Sequence, residues 1–249
     1  MTGDWRLTAV LDAVLAVVLA PSCAVCEELL ERPTGGPVCP RCWGSILPLT
    51  PPLCGRCGDP LSAWRSPEGA LCPRCRRSRP QVDRARAIGE YDGALRAIIH
   101  AVKYEGRRSL AVRLAGLMRT RCGDLIAGAD GVVPVPLHQS RRRERGFNQA
   151  HDLARHLGLP VCNALQRVRP TPTQTGLPAA QRHRNVRNAF AVTRAGRDLS
   201  GATIILVDDV RTTGATLEAC ARTLKEAGVR EVRALTAARR RIRDSGRFR

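Results

Sequence analysis

One short spacing, repeated four times, constrains this chain more than any other feature. Cys23–Cys26, Cys39–Cys42, Cys54–Cys57 and Cys72–Cys75 all read Cys-x-x-Cys, and all fall before residue 76. A disulfide framework has no reason to repeat a two-residue gap. Tetrahedral zinc has one, because a tight knuckle presents two thiolates to a single metal. Gly58, directly after Cys57, can take the positive φ that turns backbone N–H groups toward sulfur. A thioredoxin-like redox site would need one such pair, so four argue against it. The eight thiols therefore predict structural Zn²⁺, one or two ions. The ions would be held either sequentially (23/26/39/42 and 54/57/72/75) or interleaved, and the spacing leaves both open. Little apolar sequence separates the pairs, so loss of metal is expected to unfold this module. Cys122, Cys162 and Cys220 lie outside the pattern and are expected as small buried hydrophobes.

The polar, basic stretch around Pro80 marks a boundary. Beyond it, segments alternate. Residues 85–91, 131–137, 203–207 and 231–237 carry strand patterns, the second one ended by prolines. Residues 93–104, 108–122, 148–158 and 216–228 repeat apolar residues at helical steps. Strands separated by helices predict an α/β fold, a parallel sheet flanked by helices. The expected organisation is an N-terminal amphipathic helix (1–22), a zinc-ribbon-like module with four-cysteine sites (23–80), an α/β domain (81–240) and a frayed basic tail (241–249).

The apolar run 7–20 is too short for a bilayer, which takes about 20 residues, and Asp12 interrupts it. A signal peptide headed by Arg6 is one reading. The spacing Leu7, Val10, Leu11, Val14, Leu15, Val18 fits a helical face better and predicts docking on the first module, in a cytoplasmic protein without a membrane span. Of the residues, 43% are hydrophobic and 25% charged, so disorder is not expected. The balance of charge is unusual: 41 basic residues against 22 acidic give a net +19. Lys occurs only at Lys103 and Lys225, so nearly all of this charge is Arg. GC-rich codon usage accounts for most of that excess. The resulting field still attracts phosphorylated ligands and nucleic acid.

Against this background, "TIILVDDVRTTGAT" (203–216) places two adjacent carboxylates at the end of a buried strand. In open parallel sheets, ligands sit beyond the carboxyl ends of the strands. Thr212, Thr213, Gly214, Ala215 and Thr216 then run into a helix N-terminus, where free N–H groups and the helix dipole cradle an anion. A ligand suiting both features has a phosphate at one end and hydroxyls beside it, as a ribose 5-phosphate does. An ordinary βα turn capped by Asp209 would explain one acid, not two. No Walker loop or dinucleotide fingerprint is present.

These residues resemble the phosphoribosyl pyrophosphate (PRPP) motif of type I phosphoribosyltransferases. Together with "IHAVKYEGR" (99–107), "VVPVPLHQSRRRERGFNQA" (132–150), "TPTQTGLPAAQRHRNVRNAFAV" (171–192) and the cysteine module, the chain resembles the ComF-like, competence-type branch over residues 20–237. Arg211 departs from the small or apolar residue commoner there. The resemblance implies an Mg²⁺-dependent phosphoribosyltransferase that moves a phosphoribosyl group from PRPP to an unidentified nitrogen acceptor. Asp208 and Asp209 would bind the ribose hydroxyls and steady an oxocarbenium charge, and Arg211 to Thr216 would hold the 5-phosphate. Val135, Pro136 and Leu137 would face pyrophosphate. Arg141, Arg142, Arg143, Arg145, Gly146, Asn148 and Gln149 would belong to a mobile lid. The alternatives for that segment are a nucleic-acid patch or a solvated basic loop. Lys103, Tyr104, Gln174, Arg182 and Asn185 are candidates for the acceptor side. Two other functions remain open: PRPP sensing without turnover, and single-stranded DNA handling with competence proteins through the zinc module and basic face. Aromatic residues make up 3% of the chain, which argues against a stacking platform for single strands.

Overall fold

A computed structural model describes residues 5–62, 65–78, 80–169 and 188–240, so the expected tail 241–249 lies outside the described residues. Its centre is a four-stranded sheet of β1 (Arg84–Glu90), β2 (Gly131–Pro134), β5 (Thr203–Arg211) and β6 (Glu231–Arg239), ordered β1-β6-β5-β2 and parallel throughout. A separate antiparallel pair, β3 (Leu165–Arg167) with β4 (Phe190–Val192), stands beside it. The run Thr203–Val207 is wholly buried, as a strand covered on both faces must be. Ile205 and Val207 pack into a core shared with the helices Gly93–Tyr104, Leu110–Arg121 and Gln149–Ala154. Ile204 and Leu206 alternate to the other face, against the helix Ala215–Glu226 and the β3–β4 pair. The strand runs on past Val207, so Asp208 and Asp209 sit within β5, between ladder pairs of Asp208 with Thr236 and Val210 with Ala238.

Helix Gly93–Tyr104 spans the residues expected of it. Asp92 accepts a hydrogen bond from the Gly93 N–H as its cap, and Leu95, Ile98, Ile99 and Val102 form its buried stripe. Of the segment 141–149, expected as a mobile lid, residues 141–145 belong to a helix (Gln139–Arg145) closed by Gly146.

The eight thiols form two groups in sequence order, 23/26/39/42 and 54/57/72/75, with the sulfurs of each group within 4.8 Å of one another. Four thiol donors at that separation fit tetrahedral Zn²⁺. The second knuckle of each group reads Cys-Pro-Arg-Cys and opens a one-turn helix, Pro40–Gly44 or Pro73–Arg77, with proline at the first position. The two ribbons attach differently. Leu30, Val38, Trp43 and Ile46 of the first belong to the same core as Ile88, Leu95 and Leu235. The second has only a small apolar cluster of its own, Cys54, Cys57 and Cys75 with Leu61 and Leu71. It meets the sheet through its backbone, where the Ala85 N–H donates to Arg56 O at 2.6 Å. Gly58 has φ +67°, and a Cβ there would lie 2.5 Å from Ala85 O, so only glycine permits the approach.

The N-terminal helix, Trp5–Leu19, does not dock through its apolar residues. Leu7, Val10, Val14, Val17 and Val18 are exposed. The anchor is Asp12, whose carboxylate accepts from the Thr34 N–H at 2.8 Å and the Thr34 hydroxyl at 2.7 Å. The acid that interrupts the apolar run is the residue that holds it. No helix among the described residues is long and apolar enough to cross a membrane.

Candidate functional site

The carboxyl ends of β2 and β5 open on a cavity of about 640 Å³. Asp208 and Asp209 line it from β5, Val135, Pro136 and Leu137 from the loop after β2, and Thr212, Gly214, Ala215 and Thr216 from the turn into helix Ala215–Glu226. Gly214 is the N-cap of that helix, with φ +83°, a left-handed conformation that favours glycine. A twelve-residue helix therefore starts at the cavity wall, with its positive end beside the two carboxylates.

The two acids differ in environment. Asp209 is buried and forms an ion pair with Lys103 Nζ at 2.8 Å. The Asp208 carboxylate accepts the Asp209 N–H at 2.9 Å. Burial, reinforced by the neighbouring Asp209 charge, pushes the Asp208 carboxyl up to about 7. The Asp209 and Asp208 charges outweigh burial at Lys103 and hold its ammonium protonated. Lys103, a candidate for the acceptor side, thus lies on the acidic pair. Tyr104 lines the cavity and stacks on His100, ring centroids 4.7 Å apart.

Among the described residues, seven cationic side chains line this cavity against two acids: Arg96, Lys103, Arg141, Arg145, Arg167, Arg211 and Arg240. Arg141 beside the largely buried Arg167 adds to the burial cost of that guanidinium and lowers its hold on the proton. Polyanionic ligands relieve such a concentration of like charge. Helical spacing decides which of the residues expected in a lid reach the cavity. Arg141 and Arg145, four apart, face the cavity with Gln149, while Arg142 and Arg143 are exposed away from it. The Arg145 guanidinium lies 5.1 Å from the Tyr104 ring centre, bridging the cavity mouth. Asn148 and Gly146 do not line the cavity. Asn148 donates to Val135 O at 3.1 Å and caps the next helix by accepting the Ala150 N–H at 3.0 Å. The segment is further pinned where Arg108 grips Asp152 in a two-pronged ion pair, 2.7 Å on each side, and covers the Phe147 ring.

Two of the residues expected to hold a phosphate are otherwise engaged. Arg211 is buried, and its guanidinium donates to Asp59 of the second ribbon rather than to the turn. Thr213 spends its hydroxyl accepting the Ala215 N–H at 3.3 Å. Gln174, Arg182 and Asn185 lie outside the described residues. Sequence reading missed Arg96, Arg167, Arg240 and Asp59. For Arg96 a signal existed: Arg96, His100 and Lys103 fall on one face of a single helix.

Known proteins are similar to this chain in sequence. The family model of the double zinc ribbon domain matches residues 14–80, and that of the phosphoribosyl transferase domain matches residues 143–245. Competence protein F of Haemophilus influenzae is 31% identical over 220 residues, which covers 84% of this chain and 93% of that protein. The DNA utilization protein YhgH of Salmonella typhimurium is 34% identical over 190 residues, 72% of this chain and 81% of its own length. Competence protein ComFC of Bacillus subtilis is 28% identical over 198 residues, 77% and 79% respectively.

Proposed function

This chain belongs to the competence protein F family, and from that premise we propose that it binds PRPP with Mg²⁺ and transfers the phosphoribosyl group to a nitrogen acceptor. The observation that carries this reading is the meeting of an anion-cradling helix start, two carboxylates and seven cations in one cavity. The Thr212–Thr216 turn would take the 5-phosphate. Asp208 and Asp209 would accept hydrogen bonds from the ribose hydroxyls. They would also stabilise positive charge at the anomeric carbon as its bond to pyrophosphate breaks and the acceptor nitrogen supplies a new pair. Arg141 and Arg145 would meet the pyrophosphate from the helix above it, and that helix would exclude water. Mg²⁺ suits the oxygen donors present, Asp208 and Asp209 among them, and would neutralise part of the leaving group's charge.

Calorimetric titration of Mg²⁺–PRPP into the zinc-loaded protein, beside an Asp208→Asn/Asp209→Asn double variant, tests the site. Tight binding to the parent and its loss in the variant are expected. Absence of heat from both would sink the reading. Pyrophosphate release in the presence of ammonia and nucleobases then separates transfer from binding without turnover.

A further inference from the structure

A second cavity, of about 370 Å³, lies behind the phosphate turn, between the second ribbon and helix Ala215–Glu226. Arg56, Arg74, Arg211 and Arg222 line it, and among the described residues Glu218 is the one acid that does. Glu218 is already engaged, accepting the Gln81 N–H at 2.6 Å. Nearby Asp59 serves three guanidiniums at once: Arg211, Arg239 at 2.6 Å and Arg74 at 3.6 Å. Arg56 and Arg222 have no acidic partner among the described residues. Arg211, which lines this cavity, is 6% exposed, yet its Nε has no hydrogen-bond partner. Charged donors left unmade in a buried place are costly, and a phosphate supplies acceptors that match guanidinium geometry. The other lining side chains include Val82, Leu217 and Ala234, an apolar surface that suits a sugar or base.

We propose that this cavity binds a free nucleoside monophosphate, its phosphate among the arginines and its base against the apolar wall. The volume sits at the small end of ligand pockets and fits one nucleotide. Among the described residues no aromatic side chain lines it, which favours a single nucleotide over a strand that would need a stacking platform. Its anion would touch the Arg211–Gly214 turn from the side opposite the first cavity, since both cavities share Arg211 and Gly214.

The test is calorimetric titration of the zinc-loaded full chain with AMP, GMP, CMP and UMP in phosphate-free buffer, without PRPP. At least one should bind. Arg56→Gln/Arg222→Gln, which removes two side chains without acidic partners, should weaken it about tenfold or more. Mg²⁺–PRPP affinity should stay within about twofold in that variant, because neither residue lines the first cavity. The nucleotide should also still bind Asp208→Asn/Asp209→Asn. Loss in the aspartate variant with normal binding to Arg56→Gln/Arg222→Gln would place the nucleotide in the first cavity and overturn the proposal. So would absence of binding by all four nucleotides, or binding only of an oligothymidylate strand through Arg56 and Arg222. Failure of PRPP to bind would sink the function proposed above and leave this inference standing, because the nucleotide titration contains none.

Discussion

Asp208→Asn is expected to stabilise the folded protein, by an amount that grows with pH. The Asp208 carboxyl has an ordinary value of 3.8 and is raised to about 7 in the fold, first by burial and then by Asp209. The native state therefore holds this proton more tightly than the unfolded chain does. Its contribution to stability is complete below the unfolded value and is lost progressively as pH rises toward the folded one. About 3 pH units at roughly 1.4 kcal/mol each set a ceiling of about 4 kcal/mol above pH 7. Because Asp209 and Lys103 readjust around the ionised carboxylate, about half of that is expected, roughly 2 kcal/mol at pH 8 and about 1 kcal/mol at pH 5. Asn keeps an oxygen to accept the Asp209 N–H and carries no charge to desolvate. For a chain of this size the gain corresponds to a rise in Tm of about 4–8 °C at pH 8 and about 2–4 °C at pH 5. The assay is urea and thermal unfolding of both proteins at the two pH values, zinc-replete and free of phosphate, which would occupy the cavity. The same variant should lose affinity for PRPP. A variant less stable than the parent at pH 8, or a gain that does not change with pH, would refute the burial argument.

Lys103→Met removes the cation from buried Asp209 and should cost about 3–5 kcal/mol in urea unfolding, as breaking a buried ion pair does, with Lys103→Arg recovering part of the loss. Gly214→Ala meets no close atom, since its new Cβ would find Arg211 Cδ at 3.9 Å, so the cost is the left-handed backbone alone. About 1–2 kcal/mol of stability and a comparable loss of PRPP affinity by calorimetry are expected. Cys26→Ser and Cys57→Ser should differ. The first should lower the unfolding midpoint of the whole protein, because that ribbon shares the main core. The second should release one zinc per chain, read with a colorimetric chelator, while most of the α/β fold persists in circular dichroism.

Sequence patterns carried the architecture wherever one period dominated. The β-branched run of β5, the apolar stripe of helix Gly93–Tyr104 and the repeated cysteine pairs each leave little choice of structure. What escaped depends on contacts between residues far apart in the chain. Arg211 reads as part of the phosphate turn, yet the acid that holds it is Asp59, 152 positions away. Lys103 reads as unusual only because lysine is rare here, and its partner Asp209 shows why a cation belongs at that place. Hydrophobic periodicity misled at the N-terminal helix. An apolar face signals burial only when a surface exists to receive it, and the surface nearby offers Thr34 to a carboxylate instead.

The manner in which each ribbon is attached sets what its metal can influence. The first is welded into the hydrophobic core, so its zinc bears on the stability of the fold as a whole. The second is held by backbone contacts along β1 and by one carboxylate, Asp59, two residues beyond Cys57. That carboxylate grips the guanidinium of Arg211 at the end of β5 and of Arg239 at the end of β6. Position of the knuckle therefore fixes position of Asp59, and Asp59 fixes the side chain that precedes the Thr212–Thr216 turn. A cation at position 211 without this acid would stand buried and uncompensated, or swing into the cradle. The departure of Arg211 from the small residue commoner at this point and the presence of an acid after the third cysteine knuckle are thus two halves of one arrangement, which ties the second ribbon to the start of the Thr212–Thr216 turn.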